Sequence, residues 1–177
     1  TNHVLLCEPR HFRIAYEINP WMHREVPVDE ARAREQWRGL RRTLADLGVV
    51  VELVEPREDV PDMTFAANAG VVFGRRFIPA NFRFQQRQAE QPYFEEWFAT
   101  HGYEVEPIHD PHYWEGEGDV LATPGEPSLV FAGYRFRTEA SALDHLDAEL
   151  GLRTIRLELT DPRYYHLDTC LCPLGDG

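Results

Sequence analysis

The 177-residue chain contains no lysine; all 18 of its basic side chains are arginine. That excludes Schiff-base chemistry on a lysine and a phosphate loop ending in Gly-Lys. Cysteine is scarce too. Cys7, Cys170 and Cys172 form an odd set of three, too few for a disulfide framework, so a reducing cytoplasm is the expected setting. No apolar run approaches the ~20 residues of a membrane span, and no signal-like apolar segment opens the chain. Basic residues are outnumbered by 30 acidic ones, for a net charge of −12. That composition lacks the basic stripe of a nucleic-acid-binding surface and suits solubility or a cationic small substrate. Gly116-Glu117-Gly118 has neither the third glycine nor the following helix of a dinucleotide fingerprint, and no cofactor is expected.

What is present is a chain with 43% hydrophobic residues, enough for one domain with a real core. His3 to Cys7 reads as a short buried strand closed by Pro9. Residues 10 to 28 carry two prolines and no clean period, which predicts a long loop of the kind that serves as a lid. Asp29 is placed to cap a helix running to Leu47, with Trp37, Leu40, Leu44 and Leu47 on its apolar face and Gly48 ending it. Val49 to Val54 is β-branched enough for a strand.

The remainder repeats. Ala69 to Phe73, Phe77 to Phe84, a helix near Ala89 to His101 and Tyr103 to Val105 match Gly118 to Leu121, Leu129 to Arg137, a helix near Glu139 to Leu150 and Arg153 to Leu159. Both read strand, strand, helix, strand. A third unit begins with a strand at His166 to Cys172. The units are set 49 residues apart, a step that relates Asn68 to Glu117 and His166, and Gly70 to Asp119 and Asp168. Rotation about an axis would gather Asn68, Glu117, Asp119, His166 and Asp168 at one end of it. Carboxylates beside a histidine can hold a cation and move a proton. Arg87 and Arg137 follow the second strands of successive units, and a pair of guanidinium groups suits a carboxylate. The ligand so described is zwitterionic, as arginine is.

Other candidates carry less. Cys170 and Cys172 alternate with His166 and Asp168 along the expected strand. Such a strand spans roughly 20 Å, too far for one ion with bonds near ~2 Å, so both are read as core thiols and no metal site is expected. Trp114, Tyr164 and Tyr165 are read as packing residues, Arg83 and Arg135 as surface arginines, and His109, Asp110 and His112 as at most an adventitious metal patch.

Pro61 to Asn68, Glu115-Gly116-Glu117-Gly118-Asp119 and His166-Leu167-Asp168-Thr169 resemble, in order, three motifs of the guanidine-modifying enzymes. That superfamily includes arginine deiminases, dimethylarginine dimethylaminohydrolases, amidinotransferases and arginine dihydrolases. The resemblance implies an α+β architecture, an α/β propeller called a pentein, made of five ββαβ blades. About three would lie in this chain, so residues 1–177 would be a single incomplete domain, inactive alone. It implies a hydrolase of the guanidino C–N bond of arginine or an N-methylated arginine. His166 would protonate the leaving amine and later activate water, with Glu117 and Asp119 as catalytic carboxylates. Asn19, Asp62, Phe65, Asn68, Arg87, Arg137 and Asp168 would contact the substrate, Asn19 from the lid.

Three features depart from the family pattern. No cysteine stands where the family's nucleophile is expected. Asn68 occupies a position that is Asp in deiminases and dimethylargininases, which favours the dihydrolase reaction giving ornithine and ammonia. The usual Glu-Gly-Gly-Asp is replaced by Glu115 and Glu117 ahead of Asp119, which leaves open which glutamate is functional. The alternatives are a dimethylargininase giving citrulline and dimethylamine, or a non-catalytic arginine-binding protein. The expected partner is an arginine-like small molecule, without nucleic acid or membrane, and a homo-oligomer is compatible with the sequence.

Overall fold

The computed structural model describes residues 3–108 and 112–175, less the side chains of Pro127 and Glu149. His109 and Asp110 of the weak metal pattern lie outside the described residues. The chain forms two compact units, Thr1–Ala66 and Ala67–Gly177. None of the described helices is long and apolar enough to cross a membrane.

In the first unit, β1 (His3–Cys7) pairs in parallel with β2 (Val50–Val54), and α1 (Glu30–Asp46) connects them. The cap is as expected: Asp29 accepts a hydrogen bond from the Arg32 N–H, satisfying one of the orphan amides of the first turn. Gly48, at φ 78°, takes the left-handed turn after the helix that a side chain would resist. The apolar face differs from expectation. No residue of α1 is buried: Leu40 is 51% exposed, and Leu47, the residue that follows the helix, 73%. Two strands offer a surface about 10 Å wide, too narrow to cover a helix about 25 Å long. β1 is likewise only half-buried, apart from Cys7.

The second unit contains the repeat. β3 (Gly70–Phe73), β4 (Arg76–Pro79), α2 (Gln85–Gln88), α3 (Gln91–Thr100) and β5 (Glu104–Val105) are followed by β6 (Val120–Thr123), β7 (Glu126–Tyr134), α4 (Ala140–Leu150) and β8 (Arg153–Glu158). Each set makes a three-stranded sheet in chain order, the first pair antiparallel and the second parallel. Val71 and Ile78 of the first sheet share one core with Val120, Val130 and Ala132 of the second, with Ala142, Leu143 and Leu146 of α4, and with Trp114. Trp114 is thus a packing residue, as read from the sequence.

The register of the repeat needs correction. A 3-10 turn stands at the head of each unit, at Ala66–Ala69, Gly116–Gly118 and Leu167–Thr169, with starts 50 and 51 residues apart; β3/β6 and β4/β7 are also 50 apart, while α3/α4 and β5/β8 keep the expected 49. The third unit also differs. Residues 166–172 hold the turn and no strand, because Pro173 lacks an amide donor and Gly175 follows closely. Cys170 and Cys172 are consequently exposed, not core thiols; Cys7 is the buried one.

Candidate active site

The three 3-10 turns position the candidate residues. Such turns have no apolar period and present their side chains close to a neighbouring backbone. Gly118 shows how tightly the turns meet: a Cβ there would lie 2.2 Å from Asn68 Nδ2 and 3.0 Å from His166 Nδ1. Asn68, the Gly116–Gly118 turn and His166 therefore converge.

At the centre is His166, 3% exposed. Its Nδ1 is 3.2 Å from Asp119 Oδ2, in a hydrogen bond. Its Nε2 is 3.2 Å from Glu115 Oε2, an ion-pair distance at which the N–H is not aimed well enough for a hydrogen bond. Both carboxylates are fully buried. Asp119 is fixed by two further donors, the Thr138 hydroxyl at 2.6 Å on Oδ2 and the Leu167 amide at 3.0 Å on Oδ1. The Thr138 hydroxyl in turn accepts from the Glu115 amide at 3.1 Å. Glu115 accepts from the Arg83 amide at 3.2 Å and from Arg137 Nη1 at 2.9 Å. The Arg137 guanidinium lies 4.7 Å from the Phe84 ring centre and 4.8 Å from that of Tyr165. Its turn includes Arg135, a non-glycine residue at φ 114°, an uncommon conformation that the Arg135 N–H to Thr138 carbonyl hydrogen bond closes.

A second buried group adjoins Asn68. Arg87 donates from Nε and Nη2 to the two oxygens of Glu90, both at 2.8 Å, and from Nη1 to Asn68 Oδ1 at 2.8 Å. Among the described residues, the charged side chains buried in the second unit are then Arg87, Arg137 and His166 against Glu90, Glu115 and Asp119. Three cations match three carboxylates only if His166 is protonated. Burial by itself lowers the His166 pKa, but the hydrogen bond with Asp119 and the charges of Asp119 and Glu115 overcome it and hold the value at about 9. Burial raises that of Glu115, and His166 and Arg137 outweigh it to bring the carboxyl down to about 2.

Glu117 and Asp168 behave differently. Both residues are solvent-accessible, and neither is in the buried cluster. Glu117 Oε1 takes only a long hydrogen bond, 3.4 Å, from the Val72 amide. Surrounding protein raises the carboxyl pKa of each, for Asp168 with Asp119 adding to the rise and His166 opposing it. Asp168 thus lies within the field of the buried histidine, while Glu117 reaches the backbone of β3. Among the described residues no group of three or more His, Cys, Asp or Glu side chains is placed to hold a metal ion.

The sequence reading is redirected at Arg87 and Arg137. Each guanidinium is already paired with a buried carboxylate at 2.8 to 2.9 Å, so a substrate carboxylate would have to share it. Three candidates lie in the first unit. Asn19 Oδ1 accepts from the Trp21 amide at 2.9 Å in the segment without helix or strand. Asp62 is buried in the turn Pro61–Thr64, and Phe65 is half-exposed, edge-on to Phe12. Sequence reasoning passed over Glu90, Gly118 and Thr138. The spacing of three between Arg87 and Glu90 was the one available signal, and on a helix that reads as an ordinary surface pair.

A family model described as N,N dimethylarginine dimethylhydrolase, eukaryotic, matches residues 13–177. The chain is 41% identical over 174 residues to the bifunctional arginine dihydrolase/ornithine cyclodeaminase AgrE of Nostoc sp., covering 98% of this chain and 24% of that protein. It is 42% identical over 176 residues to the N(G),N(G)-dimethylarginine dimethylaminohydrolase of Mycobacterium tuberculosis, covering 99% of this chain and 57% of that protein. The solved N-terminal domain of ArgZ, an arginine dihydrolase from the ornithine–ammonia cycle in cyanobacteria, bound to substrate, superposes with a TM-score of 0.92 at 39% identity, over 99% of this chain and 64% of that one. The chain thus spans less than two thirds of the length of these relatives. With the mixed α/β fold, three motifs in order and a family match over nearly its whole length, the chain belongs to the N,N dimethylarginine dimethylhydrolase family, within the guanidine-modifying enzymes.

Proposed function

We propose that the protein hydrolyses the guanidino C–N bonds of arginine, as a dihydrolase that releases ornithine and ammonia. The observation that carries this reading is the buried His166 between Glu115 and Asp119, with Asn68 a neutral amide at its side. In this proposal a cysteine thiolate from outside these residues attacks the guanidinium carbon, forming a C–S bond. His166, charged at neutral pH, gives its proton to the departing amine as the C–N bond breaks. It then takes a proton from the water that cleaves the C–S bond, which leaves a ureido product and one ammonia; a second round of attack and hydrolysis on that product breaks the remaining C–N bonds, so that arginine and two waters give ornithine, two ammonia and carbon dioxide. Asp119 orients the imidazole, and Glu115 stabilises its charged form. Glu117 and Asp168, with solvent access, receive the guanidinium; Asn19, Asp62 and Phe65 are proposed as further substrate contacts. Arg87 and Arg137 shape the pocket and share a donor with the substrate carboxylate.

Asn68 favours the dihydrolase reading, since an amide leaves one anion fewer beside the guanidinium than an aspartate would. The finer structural expectations belong to the same proposal: a five-bladed pentein propeller with about three blades here, a single domain completed by further blades, a cytoplasmic location and no cofactor. The similarity to the Mycobacterium protein supports dimethylarginine as a second substrate. The test is incubation of the full-length protein with L-arginine and, separately, with asymmetric dimethylarginine. Ornithine with ammonia is the expected result. Citrulline with dimethylamine from the methylated substrate would establish the second reading, and no turnover of either would overturn both in favour of a binding protein.

A further inference from the structure

We infer that Glu90 is a positioning residue: by clamping Arg87 it fixes the side-chain amide of Asn68 and turns its NH2 group toward His166. Glu90 is fully buried, and both its oxygens are engaged by the same guanidinium, at 2.8 Å each. That fork fixes the plane of Arg87, whose Cζ sits 4.7 Å from the centre of the fully buried Phe82 ring. The remaining nitrogen, Nη1, reaches Asn68 at 2.8 Å. A guanidinium can only donate, so the atom it meets must be the amide oxygen. The amide nitrogen is therefore the end that faces the Gly116–Gly118 turn. Asn68 Nδ2 and His166 Nδ1 lie 2.2 Å and 3.0 Å from one point, the place a Cβ on Gly118 would occupy, so they are within about 5 Å of each other.

Charge gives Glu90 a second effect. Arg87 is close enough to Glu115 to stabilise its charged form. With Glu90 present, Arg87 is neutralised locally and points its donor at Asn68. Without it, a buried and uncompensated cation would be drawn to Glu115, the carboxylate beside His166. The catalytic consequence rests on the reading of the site as a guanidino hydrolase. There the oriented amide is an uncharged donor held beside the proton-transferring histidine.

The test uses two variants of the full-length protein. Glu90→Gln removes the charge and keeps the shape. Arg87→Met/Glu90→Met removes the whole pair and keeps the volume, so folding is maintained even if the single variant is unstable. The first measurement is the 15N–1H signal pair of the Asn68 side-chain amide, assigned by its loss in Asn68→Asp, with its solvent exchange rate. Both variants are expected to shift this pair and speed its exchange by about tenfold. The second is the product distribution from L-arginine, in which ornithine formation falls by about a hundredfold while KM changes little. An unchanged amide signal in the folded double variant overturns the inference, whether or not the protein hydrolyses arginine. A displaced amide with unchanged kcat and products overturns it equally. If the parent protein is silent on arginine, the proposed function fails, and the amide signal still decides the role of Glu90.

Discussion

The two repeats of the second unit share one plan and differ in how each pairs its buried arginine. Each makes a strand–strand–helix–strand sheet of the same order, and each buries an arginine after its second strand, Arg87 and Arg137, 50 positions apart. In the first, the arginine takes its carboxylate from three residues further on, Glu90, and turns Nη1 to Asn68. In the second, it reaches back 22 residues to Glu115, whose same oxygen also faces His166. A repeated scaffold thus supplies two equivalent cations. Arg137 binds the Glu115 oxygen that faces His166, whereas Arg87 donates to Asn68 and adds its charge near Glu115. The first repeat contributes Asn68, a neutral group, at the corresponding edge.

If that difference is functional, the largest effect falls on the shared histidine. His166→Ala in the full-length protein is expected to lower kcat for arginine by about a thousandfold, read from initial rates of ammonia release. Glu115→Gln comes next. It leaves Arg137 and His166 facing each other without their common anion, with an expected loss of about 3 kcal/mol in chemical denaturation and a collapse of activity. The neighbouring Glu117→Gln separates the two glutamates. It is expected to leave the melting temperature in place and raise KM about tenfold, because this carboxylate has solvent access and no partner in the buried cluster.

The pH dependence should be lopsided. His166 is held up to about 9, so its contribution to stability is complete below its unfolded value near 6.5 and is lost as pH rises through about 9. Glu115 is held down to about 2, so its contribution is complete above about 4.5 and is lost only as pH falls through about 2. The melting temperature is therefore expected to decline between about pH 7 and about pH 10, and His166→Gln should flatten that decline. The smallest effect belongs to pairs that both repeats carry on the surface. Glu126→Gln breaks the exposed pair with Arg153 and is expected to cost no more than about 0.5 kcal/mol.

How much of this could be read from the sequence follows the kind of signal each part leaves. The repeat, the Asp29 cap, Gly48 and the strands of both sheets are marked by period and punctuation, and they stand close to where they were expected. The apolar face of α1 was legible as a pattern, but its exposure was not, because burial depends on how much sheet lies opposite. The 3-10 turns carry no period, so the step of 49 hid steps of 50 and 51. That slip paired Asn68, Glu117 and His166 where the turns instead place Glu115 next to His166. Glu90, Thr138 and Gly118 left no readable trace. A buried glutamate is indistinguishable in sequence from a solvated one until its partner is seen, and the need for glycine at 118 comes from two side chains on other turns.

The central claim is that Glu115 and Asp119 keep His166 charged at neutral pH inside a buried cluster. It is tested most directly by following the ring 15N and 1H shifts of His166 in the full-length protein from about pH 5 to about pH 11, against the free-imidazole reference. A titration near 9 is the predicted result. A midpoint at or below the ordinary value of about 6.5 would contradict the account.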